Sequence, residues 1–326
     1  MNKVKWGVLG TANIAKGCTI PGMQIAESVE LYAVAGRSLE KAERFKKDFG
    51  FEKAYGSYDE LLDDADVQAV YIPLPNGIHK EWVIKALNKK KHVLCEKPLA
   101  LNADDAKEMF ECAKANGVYL MEAYAYLHSP YVASLKKDIS DGLIGEVDMI
   151  ESGFLTQYYK EDIRMYKDQG GGALYDLGCY TTTMILSLTD SEPEFVQASA
   201  EFSSLGVDLM TSAVIRFKNG LRAAFNVGMV LGVNTDSRYD RLYVHGSKGA
   251  IYSDVEYNQA GELSYRIISD GKEIVRKVKA PQNYSLETQQ LSQCVLGNET
   301  PFVTEGFSVK NAKLLDMIFD KIGYYK

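Results

Sequence analysis

The 326-residue sequence lacks any long uncharged apolar run and any excess of positive charge. No stretch approaches the roughly 18 apolar residues that a membrane-spanning helix requires, so we expect no membrane anchor. Subtracting 44 acidic residues from 37 basic ones leaves a net charge of −7. This sign removes the counterion release that holds basic proteins on nucleic acid. We therefore expect a small-molecule partner, and neither a nucleic acid nor a membrane.

Cysteine and histidine are also scarce. The five cysteines are odd in number and widely spaced, which fits neither a disulfide framework nor a Cys-x-x-Cys metal site. Reduced thiols in a cytoplasm are the simplest interpretation. None of the four histidines lies at metal-ligand spacing from another histidine or a cysteine, so we predict no metal. A Gly-x-Ser-x-Gly turn is absent, which leaves serine hydrolysis unsupported.

The first third of the chain alternates short β-branched runs with longer segments of helical period. Strands are predicted at 4–9, 31–35, 69–72, 92–95 and 118–121, with helices at 39–49, 78–87 and 103–115. Such alternation implies right-handed βαβ crossovers and a parallel, doubly wound sheet, which makes the fold class α/β. We predict a dinucleotide-binding domain over residues 1–123.

The pattern changes after about residue 146 to strands separated by short turns. They are predicted at 147–155, 195–202, 210–217, 221–230, 241–245 and 250–253. Helices at 173–188, 285–296 and 308–322 would cover one face of a mostly antiparallel sheet. We predict an α+β domain over 124–326 for substrate binding and oligomerisation. Alternating apolar residues such as Ala223, Phe225 and Val227 would lie on its exposed face and form a homodimer or larger assembly.

A glycine turn follows the first predicted strand and opens a helix. It reads Gly10-Thr11-Ala12-Asn13-Ile14. In this context a G-x-G-x-x-G/A turn presents backbone N–H groups to a pyrophosphate. Because Ala12 stands at the middle glycine position, an ordinary strand-to-helix turn remains the alternative. We assign all five residues to cofactor binding.

The end of the second predicted strand favours NADP over NAD. NAD sites usually place an acid there to bind the ribose hydroxyls. This chain has Arg37 and Ser38 instead, a cation and a hydroxyl suited to a 2′-phosphate. The alternative is that Ser38 caps the following helix while Arg37 is solvated.

Three further residues are candidates for chemistry. Lys97 follows Glu96 at the end of a predicted strand, at the sheet edge where doubly wound folds bind ligands. On a predicted helix led by three glycines, Asp176 and Tyr180 lie four apart on one face. A phenol beside a cation is a plausible proton donor. A structural role for Tyr180 stays open, because the chain has 21 tyrosines.

His79 begins a helix just after the Pro73-Leu74-Pro75-Asn76 turn. At this strand-to-helix junction its ring would line the nicotinamide site, or it would be a satisfied histidine in the first helical turn. We assign Pro73, Leu74, Asn76 and His79 to the cofactor site, together with Glu96 and Lys97.

Several motifs occur in a fixed order: G-T-A-N-I-A, A-G-R-S, P-L-P-N-G-I-H, C-E-K-P and G-G-G-A-L-Y-D-L-G-C-Y. With them the chain resembles the Gfo/Idh/MocA oxidoreductases over nearly its whole length, and in particular the branch of dimeric dihydrodiol dehydrogenases and NADP-dependent D-xylose dehydrogenases. The resemblance implies a Rossmann domain, a large open-faced sheet, and hydride transfer between NADP and a carbohydrate or cyclic diol. It also implies that Lys97 and Tyr180 are catalytic, that Asp176 assists them, and that the Lys97–Pro98 peptide bond is cis.

One departure concerns the substrate. The branch commonly carries an arginine shortly before a proline in the segment after M-E-A, where this chain has Leu127. A less polar or differently shaped substrate is therefore an alternative to those typical of the branch. Five nearby tyrosines would form stacking walls for a sugar ring or belong to the core: Tyr124, Tyr126, Tyr158, Tyr159 and Tyr166.

These features predict an NADP-dependent dehydrogenase or reductase of a sugar, polyol or cyclic diol, with the substrate between two domains. The alternative is a non-catalytic sensor or regulator of the same fold, which would bind the dinucleotide without turnover. The presence of both Lys97 and Tyr180 favours the enzyme.

Overall fold

The computed structural model describes residues 2–160, 162–232 and 237–325. The chain divides into two compact units. Unit 1 comprises Met1–His128 and Pro281–Ser308, and unit 2 comprises Ser129–Ala280 and Val309–Lys326. This division differs from a single boundary after residue 123, because the chain returns to unit 1 for the segment 281–308.

The helices and strands follow one another along the whole chain. The strands are β1 (Val4–Leu9), β2 (Val29–Ala35), β3 (Lys53–Tyr55), β4 (Ala69–Ile72), β5 (His92–Glu96), β6 (Leu120–Ala123), β7 (Val147–Gln157), β8 (Pro193–Phe202), β9 (Asp208–Phe217), β10 (Arg222–Leu231), β11 (Arg238–Gly246), β12 (Gly249–Ser253), β13 (Gly261–Ser269) and β14 (Lys272–Ala280). The helices are α1 (Ile20–Ile25), α2 (Leu39–Phe49), α3 (Tyr58–Asp63), α4 (His79–Asn88), α5 (Ala103–Asn116), α6 (Pro130–Ser140), α7 (Cys179–Ser187), α8 (Asn283–Val295) and α9 (Glu305–Ile322). Over the described ranges, no helix combines the length and apolar content that crossing a membrane requires.

Unit 1 contains a six-stranded parallel sheet in the order β3-β2-β1-β4-β5-β6. Its central strands are near-continuous apolar runs: β4 is fully buried, and β1 buries every residue except Lys5. Burial on both faces is what a parallel sheet covered by helices on either side requires. The predicted Rossmann fold of this unit is confirmed.

Unit 2 contains an eight-stranded sheet in the order β14-β13-β12-β11-β7-β10-β9-β8. The β7 and β10 strands pair in parallel, and the other neighbours pair antiparallel. Helix α7 packs on β7 and β10, so one face of the sheet is covered. The predicted mostly antiparallel α+β fold is confirmed.

The prediction for the open face of this sheet was wrong in its residues. Ala223, Phe225 and Val227 are at most 1% exposed, because they point towards the helix layer. Alternate residues along a strand point to opposite faces, so the apolar series was placed on the wrong side. The outward face instead carries Phe195, Val214 and other apolar side chains at neighbouring register positions.

The predicted position of α8 was also wrong. We expected it to cover the second sheet, but it belongs to unit 1 and packs against α1. The indole N–H of Trp6 in β1 donates to the Ser292 hydroxyl at 3.0 Å, and both groups are buried. An apolar helix face shows that a helix packs, and it does not identify the surface it packs on.

Candidate active site

The glycine turn after β1 has the backbone that the cofactor hypothesis requires. Gly10 has a φ of +121°, which L side chains rarely adopt, and its N–H donates to the Ala35 carbonyl at 2.8 Å. A Cβ at Gly10 would lie 3.2 Å from Leu74 Cδ2. The turn follows the strand that pairs with both β2 and β4, where the strand order reverses. Doubly wound folds bind dinucleotides at this point, so the backbone fits a pyrophosphate.

The end of β2 distinguishes the two alternatives for Ser38. Ser38 is the N-cap residue of α2, yet its side chain makes no capping hydrogen bond. By contrast, Ser57 begins α3 and its hydroxyl accepts the Glu60 N–H at 3.2 Å. The interpretation of Ser38 as a capping side chain was therefore wrong, and its hydroxyl is available to a ligand beside the exposed Arg37.

Tyr58 is a residue at this edge that the sequence analysis missed. Its hydroxyl lies 3.7 Å from the position that a Cβ on Gly10 would take. Burial raises the pKa of the Tyr58 phenol, and the positive charge of Arg37 partly offsets this rise. Tyr58 therefore lies beside both the glycine turn and the strand-end cation. Its position directly after the capping Ser57 was the available signal.

Lys97 follows β5 at the same carboxyl edge. The Lys97–Pro98 peptide bond is cis, which confirms the prediction. The backbone N–H of Lys97 donates to the Glu96 carboxylate at 3.3 Å. Glu96 also accepts the Tyr71 hydroxyl at 2.6 Å, and Tyr71 in turn accepts the Thr19 hydroxyl at 2.9 Å. A buried chain of hydrogen bonds thus fixes the acid that precedes the lysine.

His79 connects the two turns at this edge. One ring nitrogen lies 2.9 Å from the Pro98 carbonyl oxygen and the other lies 2.8 Å from that of Leu74. The ring is fully buried, and burial lowers its pKa, an effect that the charge of Lys97 increases. A carbonyl oxygen faces each ring nitrogen, so the ring is fixed between the two turns. His79 holds the lysine turn against the turn that also contains Pro73 and Asn76.

Glu122 in β6 supports the same loop. Its carboxylate accepts the Leu99 N–H at 2.8 Å, and burial raises its pKa to about 6. The predicted cofactor residues of unit 1 therefore lie along one sheet edge. Tyr124 and Tyr126, which were candidates for stacking walls, are core side chains at 0% and 2% exposure.

In unit 2 the triple-glycine segment is anchored by Asp208. Gly172 has a φ of +107°, and a Cβ there would clash with an Asp208 carboxylate oxygen. The other oxygen accepts the Leu174 N–H at 2.8 Å and the Thr211 hydroxyl at 2.6 Å. Burial raises the pKa of Asp208 to about 6. Asp208 thus fixes the start of the π-helical turn 174–178 that leads into α7.

Asp176 forms an ion pair that the sequence analysis did not identify. Its carboxylate accepts a hydrogen bond from Arg164 Nε at 2.7 Å, and Arg164 Nη1 donates a second hydrogen bond to Asp162 at 3.0 Å. The guanidinium lies 5.1 Å from the ring centre of Tyr159. Arg164 and Asp176 are 12 residues apart in a segment without regular period, so neither spacing nor pattern indicated the pair.

Tyr180, in the first turn of α7, lies in an aromatic cluster. Its ring centre is 5.6 Å from that of Phe154 in an edge contact and 5.1 Å from that of Tyr257. Its side chain is half-buried. Asp176 and Tyr180 therefore belong to unit 2, and Lys97 to unit 1. In the described ranges, no group of three or more His, Cys, Asp or Glu side chains is placed to hold a metal ion.

The Gly10 turn and the parallel sheet that carries it have the features of a dinucleotide-binding domain. A family model for the Gfo/Idh/MocA oxidoreductases with an NAD-binding Rossmann fold matches residues 4–124, and the model of their C-terminal domain matches residues 132–252. The chain belongs to this family, as the sequence analysis predicted.

Several relatives align over nearly the whole chain. D-xylose 1-dehydrogenase (NADP⁺) 2 of Haloferax volcanii is 31% identical over 97% of this chain and 96% of its own. The trans-1,2-dihydrobenzene-1,2-diol dehydrogenase of Xenopus tropicalis is 29% identical over 98% of both chains. Among solved structures, the 3-ketoreductase KijD10 of Actinomadura kijaniata, in complex with NADP and TDP-benzene, superimposes with a TM-score of 0.92 at 29% identity over 98% of both chains.

Proposed function

We propose that this protein transfers a hydride between NADP and a sugar, polyol or cyclic diol. The observation that carries the proposal is the common sheet edge in unit 1. The Gly10 turn, the Arg37–Ser38 pair and Lys97 all follow strands at their carboxyl ends. An amine at the edge where the dinucleotide binds is placed to meet a substrate oxygen. The named activities of the relatives support this class of substrate.

The cofactor residues have distinct roles in this proposal. The backbone at Gly10–Ile14 holds the pyrophosphate, and Arg37 and Ser38 bind the 2′-phosphate, which selects NADP over NAD. His79 and Glu96 act indirectly, because their contacts fix the turns around Lys97. When NADP is bound it supplies or accepts the hydride.

The protein's own groups move the proton. We assign Tyr180 Oη as the donor or acceptor of the substrate oxygen's proton, and Lys97 Nζ as the group that holds this oxygen. Asp176 acts through Arg164, because their ion pair fixes the segment before α7. In this scheme unit 1 binds the dinucleotide, and unit 2 supplies substrate contacts.

The test is NADPH consumption or formation with a panel of aldoses, ketoses and diols. We expect turnover by the wild-type protein, and a loss of about 10²–10⁴-fold in kcat for Tyr180→Phe with nearly unchanged NADPH affinity. Tyr119→Phe is the matched control, since Tyr119 directly precedes β6, at the end of that strand opposite its carboxyl edge. NADPH binding without turnover on any substrate would instead support the non-catalytic sensor.

We also propose a homodimer formed through the outward face of the unit 2 sheet. Phe195 on β8 and Val214 on β9 lie at diagonally adjacent register positions of this face and are 47% and 48% exposed. Large apolar side chains exposed side by side on a sheet face favour an interaction surface. A cytoplasmic location is part of the same proposal and is supported by the five free cysteines. Cell fractionation tests the location.

A further inference from the structure

Arg238, at the start of β11, has its guanidinium held in a fixed position within unit 2. Its Nε donates to one oxygen of Asp240 at 2.6 Å, and its Nη2 donates to the other at 2.9 Å. Nη2 also donates to the Tyr257 carbonyl at 3.3 Å. The Asp240 side chain is 1% exposed. A two-point bond to a buried carboxylate removes most of the guanidinium's rotational freedom.

This fixed guanidinium lies beside Tyr180. It stacks on the Phe154 ring at 4.6 Å, and the rings of Phe154 and Tyr257 both contact Tyr180. Burial alone would lower the pKa of the Arg238 guanidinium. The pKa is nevertheless raised, first by Asp240 and then by Glu256 and the Tyr180 phenol. The side chain of Arg238 is therefore a permanent cation, 29% exposed, next to the proposed proton donor.

One end of the guanidinium is available to a ligand. Nη1 forms no hydrogen bond with any residue in the described part of the chain, although it carries two N–H donors. The opposite end is fully engaged by Asp240 and Tyr257. A rigid donor pair in a partly buried aromatic setting discriminates strongly between ligands with and without an acceptor oxygen.

We propose that Arg238 binds the substrate, with Nη1 donating to a hydroxyl or carbonyl oxygen on the carbon next to the reacting carbon. The inference rests on the proposed function, which places the reacting oxygen at Tyr180. The charge of Arg238 is already balanced by Asp240 and by Glu256, whose carboxylate is 3.6 Å away. The preferred ligand is therefore an uncharged vicinal diol or sugar, not an anion.

The experiment compares paired substrates that differ by one hydroxyl, such as trans-cyclohexane-1,2-diol with cyclohexanol and D-ribose with 2-deoxy-D-ribose. Arg238→Met alone leaves the Asp240 carboxylate buried without its partner, so the working variant is Arg238→Met combined with Asp240→Asn. Arg238→Lys keeps the positive charge but cannot form the two-point hydrogen bond to Asp240 or present the Nη1 donors. Arg241→Met is the matched control, because it removes an arginine from the outward face of the same strand. Circular dichroism checks folding in each case.

We expect the double variant to lose about tenfold or more in kcat/KM for the hydroxylated member of each pair, with less than a threefold change for the deoxy member. Arg238→Lys should lose most of the same preference, and Arg241→Met none of it. An unchanged ratio in the double variant, with wild-type turnover intact, would overturn the role of Arg238 and leave the proposed function standing.

Calorimetric binding of the same pairs to the NADPH-loaded protein gives a readout without turnover. A wild-type preference for the diol that the double variant loses supports the role of Arg238 even if no substrate is converted, and in that case the catalytic proposal fails alone. If the wild-type protein binds and converts neither member of any pair, both proposals are overturned.

Discussion

Ser38→Ala should weaken NADP binding without destabilising α2, because the Ser38 hydroxyl makes no capping bond. Loss of one hydrogen bond to a charged phosphate is worth about 1.5 kcal/mol, or roughly a tenfold loss of affinity. The affinity for NAD, which has no 2′-phosphate, should stay the same. Fluorescence titration with both dinucleotides measures the ratio directly.

Ser57→Ala is the matched control and should give the opposite result. Its hydroxyl accepts the Glu60 N–H at the start of α3, so its removal should cost about 1 kcal/mol of stability. Thermal unfolding should show a fall in Tm of about 2–4 °C for Ser57→Ala and almost none for Ser38→Ala. NADP affinity should be unchanged in Ser57→Ala.

Arg37→Asp extends the same reasoning to charge. It replaces a cation with an anion beside the 2′-phosphate, so we expect NADP affinity to fall by about 100-fold and the preference to move towards NAD. The reasoning is refuted if NAD binds the wild-type protein more tightly than NADP, or if Arg37→Asp leaves NADP affinity intact. A Ser38→Ala variant that loses as much stability as Ser57→Ala would show that Ser38 is a cap.

Three further predictions concern unit 2. Arg164→Met should lower stability by about 2 kcal/mol, because it removes the cation that the Asp162 and Asp176 carboxylates both contact, and adding Asp176→Asn should recover part of this loss in calorimetry. The pKa of Asp208 is about 6 when folded and about 3.8 when unfolded, so its protonation stabilises the fold at low pH, and this contribution disappears as the pH rises through 6. Urea unfolding should therefore show wild type losing up to about 3 kcal/mol relative to Asp208→Asn between pH 4 and pH 7, and parallel pH curves would contradict this. Val214→Glu should convert the homodimer to a monomer in light scattering, and a monomeric wild type would rule out the dimer.

Local pattern predicted much of unit 1. The bounds of β1 and β4 agree with the predicted ranges, because apolar runs buried on both faces end abruptly at polar turns. The bounds of α2 agree as well, because its apolar residues recur at helical spacing. Strands β13 and β14 were not predicted. Strand β13 alternates exposed polar residues with buried apolar ones before the Asp270-Gly271 turn. Strand β14 has an exposed Val275 and a high density of lysine, arginine and glutamate, which masks the pattern.

The residues of the candidate site likewise divide into those that local sequence predicted and those that it did not. Lys97, Arg37 and Ser38 were found because the carboxyl ends of parallel strands are set by local sequence. Arg164, Asp208 and Arg238 were missed. Their partners lie on other elements or depend on sheet register: Asp208 meets the segment of Gly172, and Arg238 meets Phe154 on another strand. Contacts of this kind depend on the fold as a whole.

The return of α8 to unit 1 has a consequence for synthesis on the ribosome. A nascent chain that ends at Ala280 contains all eight strands of the unit 2 sheet but lacks Ser292, the buried partner of Trp6. The last strand of the unit 1 sheet ends at Ala123, but unit 1 is not complete until the segment 281–308 has been synthesised. At about 5–20 residues per second this delay is roughly 10–40 s. The second sheet can therefore form while the first unit still exposes to solvent the surface that α8 will cover.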